Sequence, residues 1–526
     1  MNCITNPVLK GFHPDPSILR VGEDYYIATS TFEWFPGVQI HHSRDLVHWK
    51  LIARPLNRIS QLDMRGANPS EGVWAPCLSY DNGMFYLIYT NVKRWGYGSA
   101  RDLYNYLVTA ADITGEWSEP VFLNCSGFDP SLFHDDNGRK WFVNQLWDHR
   151  KGRNQFAGIV LQEYDAEKKC LVGPIKNIFT GTDLGLVEGP HLYKRNGYYY
   201  LLTAEGGTRF KHAVTFARSR KIDGPYELHP NNPILTSYLD PALELQKAGH
   251  ASLVETQNGE WYMAHLVGRP LPARGRCILG RETAIQKAVW KEDDWLYLEA
   301  GGNEPQVQVP APELKEWVWE EESARDEFDS EQLNIHFQSL RVPLEEDSLT
   351  LKERPGYLRL KGTESLHSRF HQSLVARRQQ AFCYTASTAV EFEPDSFQQM
   401  AGLVALYDVN NYYYLHITLD DSGKKVLKIA KCDAGIYDEP LAQDILIDGL
   451  TECYLKVEVD YHLLQFSYSA DGKEWTLIGP IFDASTLSDE YTEPCRFTGA
   501  FVGLCCQDLS GQRKHADFDF FEYVER

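Results

Sequence analysis

The stretch DPSILRVGEDYYIATS, residues 15–30, decides the fold because its pattern returns four more times along the chain. It places a strand-like segment before a glycine turn and an aromatic-rich strand after it. The other copies are APCLSYDNGMFYLIYT (75–90), DPSLFHDDNGRKWFVNQ (129–145), GPHLYKRNGYYYLLTA (189–204) and HASLVETQNGEWYMAHL (250–266). Their turn glycines lie 55 to 62 residues apart. Asn-Gly between two β-type segments is a strong hairpin signal, since a type I′ turn needs positive φ at both central residues.

A third element follows the hairpins less regularly, as in SRDLVHW (43–49), ADITGEW (111–117) and SRKIDGPY (219–226). Each unit therefore reads as an antiparallel meander of about four strands, with few amphipathic helices between units. Five such units in tandem predict a five-bladed β-propeller over residues 1–305. The alternative is an ordinary β-sandwich with coincidentally spaced turns, and the matching flanks of all five copies argue against it.

The composition changes after the fifth copy. The stretch GGNEPQVQVPAPELKEWVWEEES (301–323) is rich in Gly, Pro and Glu and lacks the repeat, which predicts a linker over residues 306–325. Beyond it, the segments LTLKERPGYLRLKG (349–362), STAVEFEP (387–394) and ADFDFFEY (516–523) alternate with a period of two. This alternation predicts an all-β second domain, a β-sandwich over residues 326–526.

The overall composition is that of a folded, acidic protein. Lys and Arg number 52 against 73 Asp and Glu, a net charge of −21, and 13% of the residues are aromatic, which favours β structure. So acidic a surface repels phosphate backbones and anionic lipids, so we expect neither nucleic acid nor a membrane as partner. The first residues lack the basic and apolar regions of a signal peptide, and the eleven cysteines show no CxxC spacing. These features predict a reduced, cytoplasmic location.

Alignment of the repeats places candidate catalytic residues at one end of the propeller. The first strand of each blade lines the central channel, so the aligned starts of these strands converge. The aligned position holds Asp15, Ala75, Asp129, Gly189 and His250. The position before it holds Pro14, Trp74, Phe128, Glu188 and Gly249. We therefore expect one pocket to gather Asp15, Asp129, Glu188, His250 and Trp74.

Three carboxylates in one pocket indicate acid–base chemistry. Asp15 and Asp129 each precede a proline, and Asp-Pro also serves as a turn entry, so each alone has a purely structural interpretation; Glu188 does not. Clustered carboxylates push one another's pKa values apart, so one can act as an acid while another acts as a base. Aromatic walls beside them suit a sugar ring, and this combination indicates hydrolysis of a glycosidic bond. One histidine with distant aspartates is a poor zinc site, and motifs for a serine nucleophile or a nucleotide are absent.

Taken together, HPDPSILRV (13–21), VWAP (73–76), FDPS (128–131), VEGPH (187–191), GHAS (249–252) and LGRE (279–282) resemble the β-xylosidases of glycoside hydrolase family 43. The stretch FTGAFVGLCCQD (497–508) resembles the C-terminal domain of their long-chain branch. The resemblance implies a five-bladed propeller followed by a concanavalin-like β-sandwich, inverting hydrolysis, and no nucleotide or organic cofactor. It also implies a homo-oligomer, a tetramer or a dimer. No metal is assigned, and a divalent cation near His250 stays open.

The same resemblance implies roles for individual residues. Asp15 would be the general base, Glu188 the general acid, and Asp129 would orient the acid and raise its pKa. The residues implied in substrate binding are Phe32 and Trp74 as apolar walls, His250 and Arg281 as hydroxyl ligands, Trp147 as a shaping residue, and Phe501 as the sandwich residue that closes the pocket. For Phe32, Trp147 and Phe501 the alternative is ordinary packing, and for Arg281 it is an ion pair with Glu282 or another acid.

The leading hypothesis is an exo-acting, inverting enzyme that releases D-xylose from the non-reducing ends of β-1,4-xylo-oligosaccharides. An α-L-arabinofuranosidase, or dual activity, is the nearest alternative because the two sugars present similar hydroxyls. A catalytically silent sugar-binding propeller is the alternative from a different class. Retaining, fructan-cleaving propellers carry Asn-Asp-Pro and Arg-Asp-Pro where this chain has His13-Pro14-Asp15-Pro16 and Gly127-Phe128-Asp129-Pro130. These departures argue against a covalent fructosyl intermediate.

Overall fold

The computed structural model describes residues 3–96, 98–491 and 496–526, which are organised almost entirely as antiparallel strands. Helical structure in this part of the chain consists of one 3₁₀ turn, Ala484–Thr486. Among the same residues, no helix has the length and apolar character needed to cross a membrane. The predicted all-β architecture, with a propeller followed by a concanavalin-like sandwich, is confirmed.

Five antiparallel sheets form the propeller and are here called blades 1 to 5. Blade 1 consists of Ser17–Val21, Asp24–Thr29, Gln39–Ser43 and Lys50–Ala53. Blade 2 consists of Gly72–Asp81, Met84–Arg94, Asp102–Ala110 and Val121–Asn124. Blade 3 consists of Ser131–His134, Lys140–Trp147, Phe156–Asp165 and Cys170–Phe179. Blade 4 consists of Glu188–Arg195, Tyr198–Glu205, Ala213–Ser219 and Glu227–Leu228, with Leu235–Thr236 beside the third strand. Blade 5 consists of Gln246–Glu255, Trp261–Gly268, Glu282–Trp290 and Leu296–Leu298.

The first strands of the blades form a closed ring in which each contacts the first strand of the next blade, and that of blade 5 contacts that of blade 1. Serine side chains two residues after the aligned position bridge neighbouring blades. The Ser17 hydroxyl accepts a hydrogen bond from the Leu78 amide (3.0 Å), and that of Ser131 donates to the Pro190 carbonyl (2.6 Å). The Ser252 hydroxyl closes the ring by donating to the Pro16 carbonyl (2.8 Å). These bonds satisfy buried backbone groups at the propeller axis.

A short sheet joins the two ends of the propeller. Cys3–Thr5 pairs antiparallel with Gln308–Pro310, so the segment predicted as a linker contributes a strand to the first domain. The side chain of Asn6 extends this junction by donating to the carbonyls of Ile285 (2.7 Å) and Gln306 (2.9 Å). The last blade is thus held to the start of the chain.

Two large sheets stack to form the sandwich. The first contains, in spatial order, Leu349–Thr350, Leu358–Lys361, His515–Glu525, Cys383–Glu391, Glu452–Asp460, Leu463–Ser469 and Thr476–Asp483, with Arg325–Asp326 beside His515–Glu525. The second contains Ser373–Arg378, Phe501–Asp508, Gln399–Asp408, Asn411–Leu419, Lys425–Asp433 and Ile436–Asp438, with Ile445–Leu446 beside Lys425–Asp433. Their facing side chains, such as Leu403, Leu455 and Phe518, form the sandwich core.

The other face of the second sandwich sheet packs on the propeller. Trp34–Phe35, between two strands of blade 1, pairs with Ser339–Leu340 of the second domain. Trp34 also stacks on Phe501 with ring centroids 3.6 Å apart and the planes 12° from parallel. Both rings lie in one apolar cluster that contains residues of both domains. The interface is therefore a shared hydrophobic core rather than a polar contact between independent domains.

This shared core predicts a large loss of stability when Trp34 is truncated. Trp34 is fully buried, so Trp34→Ala removes its apolar area and leaves a cavity, which lowers the free energy of unfolding by about 3–5 kcal/mol. Urea denaturation measures this change. The matched control is Phe397→Ala, since Phe397 is 70% exposed and its loss should stay within about 0.5 kcal/mol. Equal effects of the two substitutions would contradict a shared core.

Candidate active site

The five aligned positions share a rare backbone conformation. Their φ angles are 56° at Asp15, 37° at Ala75, 53° at Asp129, 56° at Gly189 and 44° at His250. Residues with a Cβ seldom adopt positive φ, and such strain concentrates at functional sites. At Gly189 glycine is needed for space as well, because a Cβ there would lie 3.0 Å from Nε2 of His250. The sequence alignment thus corresponds to a structural equivalence.

A cavity of about 260 Å³ opens where these positions converge. The predicted residues on its wall are Asp15, Phe32, Trp74, Asp129, Glu188, His250 and Arg281. The other residues on its wall are Trp95, Phe128, Phe156, Leu186, Gly206, Gly207, Thr208, Arg209 and Phe497. The volume lies just below the ~300–1,000 Å³ typical of sites for drug-sized ligands, which suits a single sugar ring.

Asp15 is buried and held in its ionised form. Its Oδ2 accepts a hydrogen bond from the Ser30 hydroxyl (2.6 Å), and its Oδ1 lies 3.3 Å from Nη1 of Arg281 and 3.5 Å from Nδ1 of His250. Burial acts to raise the pKa of Asp15, but Arg281, His250 and the Ser30 hydrogen bond outweigh it and lower the pKa. Burial also lowers the pKa of His250, so the imidazole is neutral at pH 7. Asp15 is therefore a carboxylate able to accept a proton.

Glu188 and Asp129 have the opposite tendency. Burial, and then the nearby charge of Asp15, raises the pKa of Glu188 to about 8. Burial, and then the charges of Glu188 and Asp15, raises the pKa of Asp129 well above its usual value. The Oδ2 of Asp129 accepts a hydrogen bond from the Gly189 amide (3.0 Å), which fixes it beside Glu188. At neutral pH the pocket thus holds an ionised Asp15 and a protonated Glu188.

Arg281 carries the positive charge that faces these acids, and both domains hold it. Its Nη1 donates to the Thr208 hydroxyl (2.9 Å) as well as to Asp15. From the sandwich, the carbonyl of Phe497 accepts from Nη2 (2.8 Å), and Oδ2 of Asp489 lies 3.9 Å from Nε. The ion pair with Glu282 does not form, because Glu282 is bound by Arg269 at 2.7 and 2.8 Å.

Aromatic rings form the apolar side of the pocket. The Phe32 and Trp74 ring centroids lie 5.7 Å apart, and Trp74 lies 4.8 Å from Trp95. Phe497 packs against both predicted walls, 6.0 Å from Phe32 and 5.3 Å from Trp74. Such faces complement the C–H faces of a pyranose, and their burial favours binding of an apolar ring surface.

The prediction for Phe501 is wrong. Phe501 begins a strand of the second sandwich sheet, is fully buried, and stacks on Trp34 within the interface. Phe497, four residues earlier in the segment before that strand, is the sandwich phenylalanine that reaches the cavity. The alternative of ordinary packing therefore holds for Phe501.

Trp147 lies behind the pocket wall and not on it. Its ring centroid is 5.2 Å from Trp95, 5.5 Å from Phe156 and 6.4 Å from Phe128. These three rings do line the cavity, so Trp147 supports the wall from the second layer.

Several wall residues were not predicted. Phe128 had a signal, because it occupies the same aligned position as Trp74 and Glu188. Trp95 follows the second strand of blade 2, and Phe156 begins the third strand of blade 3, where the repeat is less regular. Leu186 and Thr208 lie in loops flanking the first two strands of blade 4 and carry no repeat signal.

No metal site is evident in the described part of the chain. In residues 3–96, 98–491 and 496–526 no three His, Cys, Asp or Glu side chains are grouped to hold an ion.

A five-bladed propeller whose axial pocket combines a carboxylate, a protonated acid and aromatic walls defines a glycoside hydrolase. Sequence profiles agree with this class. The profile of glycosyl hydrolases family 43 matches residues 4–296, and that of the β-xylosidase C-terminal concanavalin A-like domain matches residues 325–524. The chain belongs to glycoside hydrolase family 43.

Full-length relatives share both domains. The solved structure of a xylan β-1,4-xylosidase from Bacillus halodurans C-125 is 57% identical, with a TM-score of 0.98 over 99% of this chain and 100% of that one. A β-xylosidase of Bacillus subtilis is 53% identical over 99% of this chain and 100% of its own length. A xylosidase/arabinosidase 43B of Humicola insolens is 54% identical over 99% of this chain and 97% of its own length.

The contact between Arg281 and Asp15 predicts a shift of the pH profile. Arg281→Gln removes the positive charge that lowers the pKa of Asp15 and also of Glu188, so both pKa values rise. We expect both limbs of the pH profile of kcat/KM, measured on an aryl glycoside, to move about one pH unit upward. Arg281→Lys keeps the charge and should shift the limbs less. Identical profiles for the two variants would show that the charge of Arg281 does not act on these acids.

Proposed function

We propose that the protein is an exo-acting β-xylosidase that releases D-xylose from the non-reducing ends of β-1,4-xylo-oligosaccharides. The observation that carries this proposal is the cavity of about 260 Å³ in which Asp15 is ionised and Glu188 is protonated beneath aromatic walls. Room for one sugar suits removal of terminal units rather than cleavage within a polymer. The names of the Bacillus relatives support xylose as that unit.

Glu188 supplies the proton that the leaving sugar needs. With its pKa raised to about 8 the carboxyl is protonated at neutral pH and can donate to the glycosidic oxygen as the bond breaks. Asp129, fixed by the Gly189 amide, shares one buried site with Glu188, and repulsion between two negative charges there opposes loss of the proton from Glu188. Glu188 is therefore the general acid and Asp129 its positioning partner.

Asp15 acts as the general base in a single displacement that inverts the anomeric centre. Both of its oxygens already have partners, Oδ2 in Ser30 and Oδ1 in Arg281 and His250. A carboxylate so held is fixed in place and retains lone pairs that can take a proton from water. This supports activation of water on the face of the sugar opposite Glu188.

Cleavage of α-L-arabinofuranosides is the second candidate activity. The Humicola relative carries both activities in its name, and the two sugars present similar hydroxyls. Parallel assays with an aryl β-D-xyloside and an aryl α-L-arabinofuranoside show which sugar is preferred. Assays with β-1,4- and β-1,3-linked xylobiose show which linkage is cleaved faster. We expect the higher kcat/KM on the xyloside and on the β-1,4 dimer. A higher value on the arabinofuranoside would overturn the xylosidase assignment.

Inversion predicts the anomer of the first product. A proton NMR time course on an aryl β-D-xyloside, which releases a single sugar, should show α-xylose before mutarotation brings in the β anomer, because water attacks from the face opposite the leaving group. The pre-equilibrated xylose mixture serves as the reference spectrum. Initial appearance of β-xylose would mean a covalent intermediate and would rule out Asp15 as a base acting on water in the first step.

Loss of the acid at position 188 should separate substrates by leaving group. Glu188→Gln keeps the shape of the side chain but cannot donate a proton to the glycosidic oxygen, so turnover of xylobiose falls at least about 100-fold. An aryl glycoside with an acidic phenol needs little protonation and should lose much less. Equal losses on both substrates would contradict the acid role, and turnover near zero in the unsubstituted protein would favour a sugar-binding propeller.

A cytoplasmic place of action agrees with the cysteines. The ten that lie within the described residues are all unpaired, including the neighbours Cys505 and Cys506. Unpaired thiols are typical of a reducing compartment. There the enzyme would act on short oligosaccharides after their import.

A further inference from the structure

The turn Asn68–Glu71, of sequence NPSE, contacts the aromatic walls of the sugar pocket although none of its residues lines that pocket. It precedes the first strand of blade 2, and the Glu71 amide closes it by donating to the Asn68 carbonyl (3.0 Å). The Asn68 amide and side chain in turn donate to the Glu71 carboxylate at 2.7 and 2.9 Å. The turn is thus rigid in itself.

Ser70 uses all three of its polar groups to join elements around the pocket. Its carbonyl accepts a hydrogen bond from Nε1 of Trp74 (2.9 Å), and its hydroxyl accepts from the Phe497 amide of the sandwich (3.0 Å). Its amide donates to Oε2 of Glu33 (2.9 Å). Ser70 is 4% exposed and has a φ of 66°, so its backbone is held where a residue with a Cβ is strained.

The rest of the turn fixes the remaining aromatic walls. Oε1 of Glu71 accepts a hydrogen bond from the Trp95 amide (2.8 Å). Two residues further on, Val73 exchanges backbone hydrogen bonds of 2.9 and 3.0 Å with Phe32. Between them, Gly72 approaches so closely that a Cβ would lie 2.3 Å from the Phe32 carbonyl oxygen. One short segment therefore sets the positions of the Phe32, Trp74, Trp95 and Phe497 rings.

We propose that Ser70 and Glu71 are positioning residues that set the apolar side of the sugar pocket, and with it the preference for a xylopyranoside over an arabinofuranoside. This rests on the proposed function, since it assigns the pocket to these sugars. The turn makes no hydrogen bond to Asp15, Asp129 or Glu188, and the partners of the two aspartates lie elsewhere. Its loss therefore weakens sugar binding and leaves proton transfer intact, which raises KM and preserves kcat.

The first test compares variants at Ser70. Ser70→Ala leaves the Phe497 amide without its acceptor, and we expect kcat/KM on an aryl xyloside to fall about tenfold through KM. The xyloside-to-arabinofuranoside ratio falls with it, and the pH profile stays unchanged. Ser70→Gly also lacks the hydroxyl but adopts positive φ freely, so the same KM in both variants identifies the hydroxyl. A normal KM in Ser70→Gly would show that the hydroxyl does not set the sugar pocket and would overturn the role proposed for Ser70.

The second test uses conservative rescue at Glu71. Glu71→Ala removes the acceptor of the Trp95 amide and should raise KM. Glu71→Gln keeps an oxygen for Trp95 but places an NH2 group against the Asn68 amide, so it should restore KM in part. The control is Ser79→Ala in the strand that follows the turn, because its hydroxyl contacts Nε2 of His134 (2.9 Å) and lies off the pocket wall. The control should leave kcat, KM and the substrate ratio unchanged.

Binding of D-xylose, followed by tryptophan fluorescence, separates this inference from the proposed function. Ser70→Ala and Glu71→Ala should raise the Kd for D-xylose several-fold, whether or not the intact protein cleaves an aryl glycoside. Failure of the intact protein to cleave either aryl glycoside would contradict the proposed function but not the positioning role. Unchanged Kd and KM in both variants, or a loss confined to kcat, would overturn the positioning role. Thermal unfolding of each variant confirms that the constants refer to folded protein.

Discussion

Asp15, Asp129 and His250 occupy equivalent positions at which the backbone is left-handed, and this conformation turns their side chains toward the propeller axis. Residues with a Cβ persist there only when their surroundings hold them. The serine bridges between blades, such as Ser252 to the Pro16 carbonyl at 2.8 Å, supply part of that support. The catalytic pocket thus depends on closure of the whole ring, because every blade contributes side chains to it and contacts the next blade.

Electrostatics in the pocket depend on the guanidinium of Arg281, which lies among three acids. Arg281 lies against Asp15 and keeps it ionised, while burial keeps Glu188 and Asp129 at raised pKa values. The sandwich holds the guanidinium through the Phe497 carbonyl and Asp489. A concanavalin-like domain therefore serves here as a structural part of the catalytic pocket, since its sheet face is covered by the propeller in a shared apolar core.

The repeat made much of the fold and site accessible from sequence. Aligning the five hairpins located Asp15, Asp129, Glu188, Trp74 and His250, because equivalent positions in a propeller converge on one axis. Residues outside the repeat had no such register. Phe497 and Phe501 lie four residues apart, and only the start of the strand at Phe501 decides which ring faces the interface core and which reaches the sugar. Thr208 and Asp489 contact Arg281 from other segments, and contacts of that kind leave no local pattern.

The pairing of Cys3–Thr5 with Gln308–Pro310 has a consequence for biosynthesis. The partners lie about 300 residues apart, so the ring cannot close until the fifth blade has left the ribosome. At 5–20 residues per second this takes roughly 15 to 60 seconds, during which finished blades lack the neighbours that will cover their faces. Nascent chains are thus open rings whose catalytic residues are not yet assembled. Contacts this distant in sequence also make folding slow. The open ring exists before the sandwich domain has been synthesised, so the propeller face that the sandwich later covers is still exposed during that time.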